Sequence, residues 1–291
     1  MADPAATAME RALARARGDI FPEELESSAE ENSLAAAPSE KEVRAAERLI
    51  ARWGRRRLSR KRVASRAGDL SMMVGSRAMA LRSTRGAAGA AVPAIVVARD
   101  ILPGPVAEAA LTVLRALPEE RWQLATAGTD IGERSEGSGS ASHRFSGAAR
   151  DDAPALEPIF VALEALVSQP AVFQCGRYQQ GDFIEPHDDM AFVQAGGVEH
   201  SRDIAAVLHL TPDWSLDDGG TFVDYAGGVA HAPVFNSLLA FRVPRLHEVS
   251  PVLGREPRFS IYGWFLAPGR LYELGGVAAQ QGRKRKRKKT H

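Results

Sequence analysis

From about Pro93 onward the chain alternates between short apolar runs and turn-forming residues, and the spacing of those runs predicts most of its elements. AIVVARDIL reads as a strand. PGPVAEAALTVLRALP carries apolar residues at helical spacing, opened by Pro105 and stopped by Pro118, and predicts a helix. A second amphipathic helix is expected from Pro154 to about Ser168. Short apolar runs then follow in close succession: Val172 to Tyr178, Phe183 to His187, Ile204 to Leu210, Thr221 to Tyr225, His231 to Val234, Ser237 to Phe241, His247 to Val252, and finally Phe259 to Phe265. Gly, Pro, Asn or Asp separates each from the next, as strand punctuation requires. Helices followed by many short strands predict a mainly β body with flanking helices. Its strands are expected to close into a double-stranded β-helix, or jelly roll, whose mouth can hold a metal between two sheets.

The pattern also divides the chain. Residues 1–91 read as an N-terminal extension, Ala-rich, first acidic, then basic from Arg52 to Arg66, then rich in Gly, Ala and Ser, and so partly disordered with little packed core. One helix is expected within it: Ser39 and Glu42 make a capping box, and Val43, Ala46, Leu49, Ile50 and Trp53 form one helical stripe able to dock on the body. Residues 92–270 make the body and residues 271–291 a basic C-terminal tail. Within the body the polar stretches 125–152 and 190–203 are expected to be mobile loops near the mouth.

Composition changes this picture in two ways. A hydrophobic content of 45% in 291 residues suffices for a sizeable core. The formal net charge of +1 conceals an unbroken basic run from Arg283 to Lys289, so the rest of the chain is acidic. A run of seven like charges does not pack, and together with RWGRRRLSRKR it admits either nuclear import or nucleic-acid contact. Cys175 is the only cysteine, which excludes an internal disulfide and fits a reducing compartment. No apolar run reaches the roughly 18 residues that span a bilayer. Glu23, Glu24, Glu26, Glu30 and Glu31 argue against an organelle transit peptide, so the expected location is nucleus and/or cytoplasm, with no membrane partner.

The candidate chemistry sits at the end of YQQGDFIEPHDD, Tyr178 to Asp189. In an extended strand residues i and i+2 share a face, so His187 and Asp189 can converge on one cation without a bend in the backbone. The third ligand is expected from His247 in LHEVSPV, which can meet the pair only through the fold. Two imidazoles and one carboxylate leave open coordination positions, the donor set of non-haem Fe(II) oxygenases; a closed structural zinc site takes four ligands, usually with thiolate. Alternation turns Asp188 away from this point. His143, His200 and His231 fall in loop-like or edge contexts, and Cys175 reads as a small core residue.

Taken together, HDD with His187 and Asp189, the glycines Gly219 and Gly220 after Trp214, HEVSPV with His247, and RFSIYGWF with Arg258, Ser260 and Trp264 resemble the Fe(II)/2-oxoglutarate dioxygenases of the prolyl 4-hydroxylase type. YQQGDFIEPHDD and FRVPRLHEVSPV are most similar to the ribosomal-protein prolyl hydroxylase branch, also known for termination and polyadenylation functions. The resemblance implies Fe(II), with 2-oxoglutarate and O2 as co-substrates and ascorbate as an accessory reductant. It also implies a protein partner carrying a target proline, with ribosomal protein the first choice. Arg258, on one face of the last strand with Ser260, Tyr262 and Trp264, is placed to anchor the far carboxylate of 2-oxoglutarate, helped by Ser260 or the Tyr178 hydroxyl. His209 stands where that family often has Tyr, and is expected to be a hydrogen-bonded strand histidine. A free amino acid or small molecule is the alternative substrate. A nucleic-acid-associated binding module is the alternative outside enzymes.

Overall fold

Alternating side-chain character beyond Val96 gives thirteen strands among the described residues, which are 36–57, 95–126, 135–136 and 142–274 of this computed structural model. They are β1 Val96–Ala98, β2 Gln123–Thr126, β3 Ser135–Glu136, β4 His143–Ala148, β5 Ala171–Tyr178, β6 Phe183–His187, β7 Phe192–Ala195, β8 Val198–His209, β9 Phe222–Asp224, β10 Val229–His231, β11 Ser237–Arg242, β12 His247–Val249 and β13 Arg258–Pro268. The main path runs β1-β11-β8-β13-β5-β4-β6-β12-β9-β10, antiparallel throughout, with β2, β3 and β7 attached beside it. The sheet curls on itself. Phe241 of β11 lies 5.2 Å from Phe222 of β9 and 4.7 Å from His247 of β12, although these strands stand at opposite ends of the path. This is the expected mostly β jelly roll.

Strand parity builds two layers of core. Phe259, Ile261 and Phe265 of β13 join Phe173 and Cys175 of β5, Leu208 of β8 and Leu238 of β11 in one buried cluster under the helices. The opposite parity, Leu239 and Phe241 of β11 with Trp264 of β13 and Phe222 of β9, faces into the curl. Arg258, Ser260 and His209 share that inward parity and are also buried.

Three helices cover the first face: α1 Glu40–Arg57, α2 Gly104–Ala116 and α3 Glu157–Glu164. The Ser39 hydroxyl donates to Glu42 at 2.6 Å and accepts from the Glu42 N–H at 3.4 Å, which starts α1 with the predicted capping box. Ala46 and Ile50 are buried in the main core, with Leu49 and Trp53 packed against it. The extension expected to hold little core therefore contributes to it. A Cβ at Gly54 would lie 2.6 Å from Pro158 Cβ, so glycine sets how closely α1 crosses the start of α3. The basic residues after Arg57 and the run Arg283–Lys289 lie outside the described residues.

Both expected loops contain strands. Within 125–152, β2 and β4 pair from Gln123↔Gly147 to Thr126↔Arg144, and β4 goes on to pair with β5 and β6. Within 190–203, β7 and β8 form a hairpin closed by Gly196 and Gly197, both at positive φ. The polarity that suggested a loop here is satisfied internally: Asp203 pairs with Arg242, Gln169 donates to Asp203 at 3.0 Å, and the Arg202 guanidinium lies 3.5 Å over the Trp264 ring. No helix among the described residues is long and apolar enough to cross a membrane.

Candidate metal centre

His187 closes β6 and His247 opens β12, and antiparallel pairing sets the two directly opposite each other. Their rings stand 4.1 Å apart. Asp189 does not continue the strand. It turns at φ 63°, a left-handed conformation that Asp tolerates better than most residues, so the carboxylate swings back toward both rings. The extended i, i+2 arrangement expected for His187 and Asp189 is thus replaced by a strand end and a turn. Asp188 holds that turn: its Oδ1 accepts from Met190 N–H at 3.1 Å and its carbonyl from Arg245 N–H at 3.3 Å.

The resulting cluster has Asp189 Oδ1 3.4 Å from His187 Nε2 and Asp189 Oδ2 3.6 Å from His247 Nε2. One donor atom from each of the three residues lies within 4.8 Å of the others. Both imidazoles point their Nε2 the same way because their Nδ1 atoms are occupied: His187 Nδ1 donates to the Glu185 carbonyl at 2.9 Å, and His247 Nδ1 to the Arg245 carbonyl at 2.7 Å. This tautomer leaves an Nε2 lone pair on each ring for a cation. Arg245 is itself fixed by a buried forked pair with Asp224, whose Oδ1 accepts from Arg245 Nε at 2.9 Å. Phe222 stacks on His247 at 4.8 Å and Phe241 meets its edge. The wall behind His247 is therefore dry.

The charges agree with this reading. Burial lowers the pKa of His247, and the neighbouring His187 lowers it further, to about 4, so it is neutral and ready to ligate. Burial opposes ionisation of Asp189, yet the hydrogen bond from His187 outweighs it and holds the carboxyl well below the usual range. Burial likewise depresses His187, but the hydrogen bond of its Nε2 to Asp189 wins and raises it, so a cation taking that Nε2 displaces the proton held against Asp189. An anionic carboxylate between two imidazoles is a donor set that attracts a divalent cation.

On the same inner wall Arg258 is 3% exposed, its guanidinium 4.2 Å over the Tyr178 ring, which in turn stacks on Phe145 at 4.9 Å. Arg258 has no carboxylate partner among the described residues, and its Nε is buried without a hydrogen bond. Burial lowers its pKa, but a guanidinium stays charged. Ser260 is buried beside it, opposite Gly176, where a Cβ would sit 2.9 Å from the serine Oγ. Gly220, at φ 57°, abuts Arg258: a Cβ there would lie 3.2 Å from its Nε. This gives the Gly219–Gly220 motif a physical role. Tyr178 serves Arg258 chiefly as a ring platform, and burial pushes its hydroxyl pKa up.

His209 departs from expectation. It pairs across to Ser260 and is buried, but its Nδ1 has no hydrogen-bond partner, and burial together with the Arg258 charge holds its pKa far below the ordinary value. A neutral imidazole and a guanidinium, both buried and incompletely partnered on neighbouring strands, form a polar seat that parity could have located from AAVLHL and RFSIYG. His143 lies on β4, His200 on β8 and His231 on β10, none of them in the three-residue cluster.

Residues 173–266 match the model of the 2OG-Fe(II) oxygenase superfamily. Prolyl 3-hydroxylase OGFOD1 of Mus musculus is 35% identical over 107 residues, covering 32% of this chain and 18% of that protein. Its Xenopus laevis counterpart is 33% identical over 103 residues, 31% of this chain and 19% of that protein. The match thus spans less than a fifth of these relatives. Two solved structures are similar: a Pseudomonas putida prolyl-4-hydroxylase, with TM-score 0.45 and 23% identity over 71% of this chain and all of that one; and a Trichoplax adhaerens prolyl hydroxylase in complex with a hypoxia inducible factor peptide fragment, with TM-score 0.46 and 14% identity over 78% of this chain and 93% of that one.

The family name implies Fe(II) and 2-oxoglutarate. The residues present fit both: two neutral-capable imidazoles and one carboxylate for the metal, and a buried guanidinium lacking a carboxylate for the far end of a dicarboxylic acid.

Proposed function

We propose that this protein is an Fe(II)- and 2-oxoglutarate-dependent dioxygenase that hydroxylates a prolyl residue in a protein substrate. The observation that carries the reading is the convergence of His187, Asp189 and His247 on one point, with the unpaired Arg258 on the same inner wall. In this reading the three residues hold the metal, and Arg258 with Ser260 and His209 receives the far carboxylate of 2-oxoglutarate. When bound, Fe(II) and 2-oxoglutarate supply the oxygen-activating chemistry that no side chain provides. The chain's share is to keep both imidazoles in the Nε2-ligating tautomer, to keep Asp189 ionised, to orient the dicarboxylate, and to exclude water with Phe222 and Phe241.

Prolyl protein is favoured over a free amino acid because the relatives matched over this stretch are named prolyl 3-hydroxylases. A ribosomal protein is the first candidate partner, and ascorbate is the proposed reductant that keeps the metal active. Anaerobic titration with Fe(II) and 2-oxoglutarate, followed by admission of O2 and a succinate assay, tests the reaction class. Incubation with a ribosomal protein fraction and mass spectrometry then reads one added oxygen on proline. Oxygen found only on free small molecules would transfer the reading to the small-molecule alternative, and absence of succinate with every substrate would remove the oxygenase itself. The run Arg283–Lys289 is proposed as a nuclear import signal. Deleting residues 282–291 should leave turnover intact and shift a tagged protein out of the nucleus; unchanged distribution would overturn that assignment.

A further inference from the structure

The segment following β13 is strapped across the β7–β8 hairpin. Ser201 Oγ donates to the Gly269 carbonyl at 2.7 Å and accepts from Leu271 N–H at 2.9 Å. Arg270 forks onto Glu199 at 2.7 and 2.8 Å, and its guanidinium lies 4.2 Å over the Phe192 ring. The Tyr272 ring stacks on Phe192 at 5.5 Å, with 14° between planes. At the end of the strap the Tyr272 hydroxyl reaches three backbone groups. It accepts from Ala191 N–H at 3.1 Å and shares its proton between the Ala191 carbonyl at 2.9 Å and the Arg202 carbonyl at 3.1 Å.

Ala191 is two residues from Asp189, the one member of the cluster that sits on no strand. Asp189 holds a left-handed backbone at φ 63°, a conformation that persists only where its surroundings impose it. On one flank the turn is tied by Arg245 N–H to the Asp188 carbonyl at 3.3 Å. On the other flank Ala191 is tied twice, its carbonyl accepting from Arg202 N–H at 3.1 Å and both its backbone groups bonding the Tyr272 hydroxyl. Loosening either end widens the range of directions open to the Asp189 carboxylate, whereas His187 and His247 stay fixed by their strands.

We infer that Tyr272 is a positioning residue for the metal-binding turn, its hydroxyl fixing Ala191 and through it the aim of Asp189. The inference rests on reading His187, Asp189 and His247 as metal ligands. It is tested on the full chain with Mn(II) under anaerobic conditions, affinity being read from the electron paramagnetic resonance of free Mn(II), with the melting midpoint measured in parallel. Tyr272→Phe keeps the stack on Phe192 and removes only the hydroxyl. It should keep its melting midpoint while losing about tenfold in Mn(II) affinity, as partners that orient a ligand do. Phe192→Leu removes the stack and keeps the hydroxyl, and should lower the midpoint with little change in Mn(II) affinity. Wild-type Mn(II) affinity in Tyr272→Phe overturns the inference, as does loss of affinity in step with the midpoint in both variants. Wild-type protein that takes up no Mn(II) overturns the ligand reading as well, a result distinct from equal binding by wild type and variant. Should Tyr272→Phe fail to fold, Arg270→Ala, which frees the strap from Glu199, carries the same test, and unchanged Mn(II) affinity there overturns the inference.

Discussion

At the scale of single residues, Arg258 poses the sharpest energetic question. A buried charge left without a partner costs several kcal/mol, and here the only compensation among the described residues is the face of Tyr178. Such a cost persists where a ligand repays it. Arg258→Ala should therefore weaken 2-oxoglutarate binding to the Mn(II)-loaded protein by roughly tenfold or more, since a charge-assisted hydrogen bond contributes about 1.5–3 kcal/mol. His209→Phe removes one neutral hydrogen bond, worth about 1 kcal/mol, and should weaken binding by roughly fivefold. Both losses should vanish with 2-oxopentanoate, which lacks the far carboxylate; calorimetric titration of the two acids decides, and equal losses with both acids would place the seat elsewhere. The three cluster residues and Arg258 were legible in sequence because HxD, a distal His and an alternating last strand are local patterns. The bend at Asp189 and the role of His209 were not. The first depends on hydrogen bonds from Arg245 and Tyr272, far along the chain, and the second on which strands flank β8.

At the scale of elements, runs with plain apolar periodicity were predictable, and β6 falls on its expected residues Phe183 to His187. β4 and the first half of β8 were missed because HRFSGA and EHSRD carry polar and small residues. Those residues are tolerable in a strand only when their partners are known: Gly147 faces Gly176, and Asp203 faces Arg242 and Gln169. The stripe on α1 shows the opposite case. Its periodicity was clear, but only the fold shows that Ile50 enters the main core with no exposed surface. Ile50→Ala should cost about 2–5 kcal/mol, the range for a large-to-small change in a packed core. A chemical-denaturation midpoint measures it. Because α1 lies on the face of the sheet away from the cluster, Mn(II) affinity of the folded variant should match the wild type; a midpoint left unchanged would show that α1 is detached in solution.

At the scale of the whole molecule, the cluster joins two parts of the curled sheet that the chain itself connects only distantly. His187 ends β6 with Asp189 in the turn beyond it, and His247 opens β12, while Phe241 from the far side of the curl closes on His247. A cation held there has no preformed site in the unfolded chain, so its binding free energy adds to folding. At a free concentration of one hundred times Kd the gain is about 2.7 kcal/mol. In a body of this size each kcal/mol moves the melting midpoint by about 2–4 °C, so saturating Mn(II) should raise it by roughly 5–10 °C. The informative variant is Asp189→Asn rather than Asp189→Ala. Asparagine tolerates the left-handed backbone that alanine resists, so the metal-free midpoint stays near that of the wild type while the anionic donor is lost. At the same Mn(II) concentration the induced shift should then shrink to a degree or two, about a hundredth of the affinity remaining. A full shift in Asp189→Asn would mean that the cation binds outside the His187, Asp189 and His247 cluster, whatever the turnover assay reports.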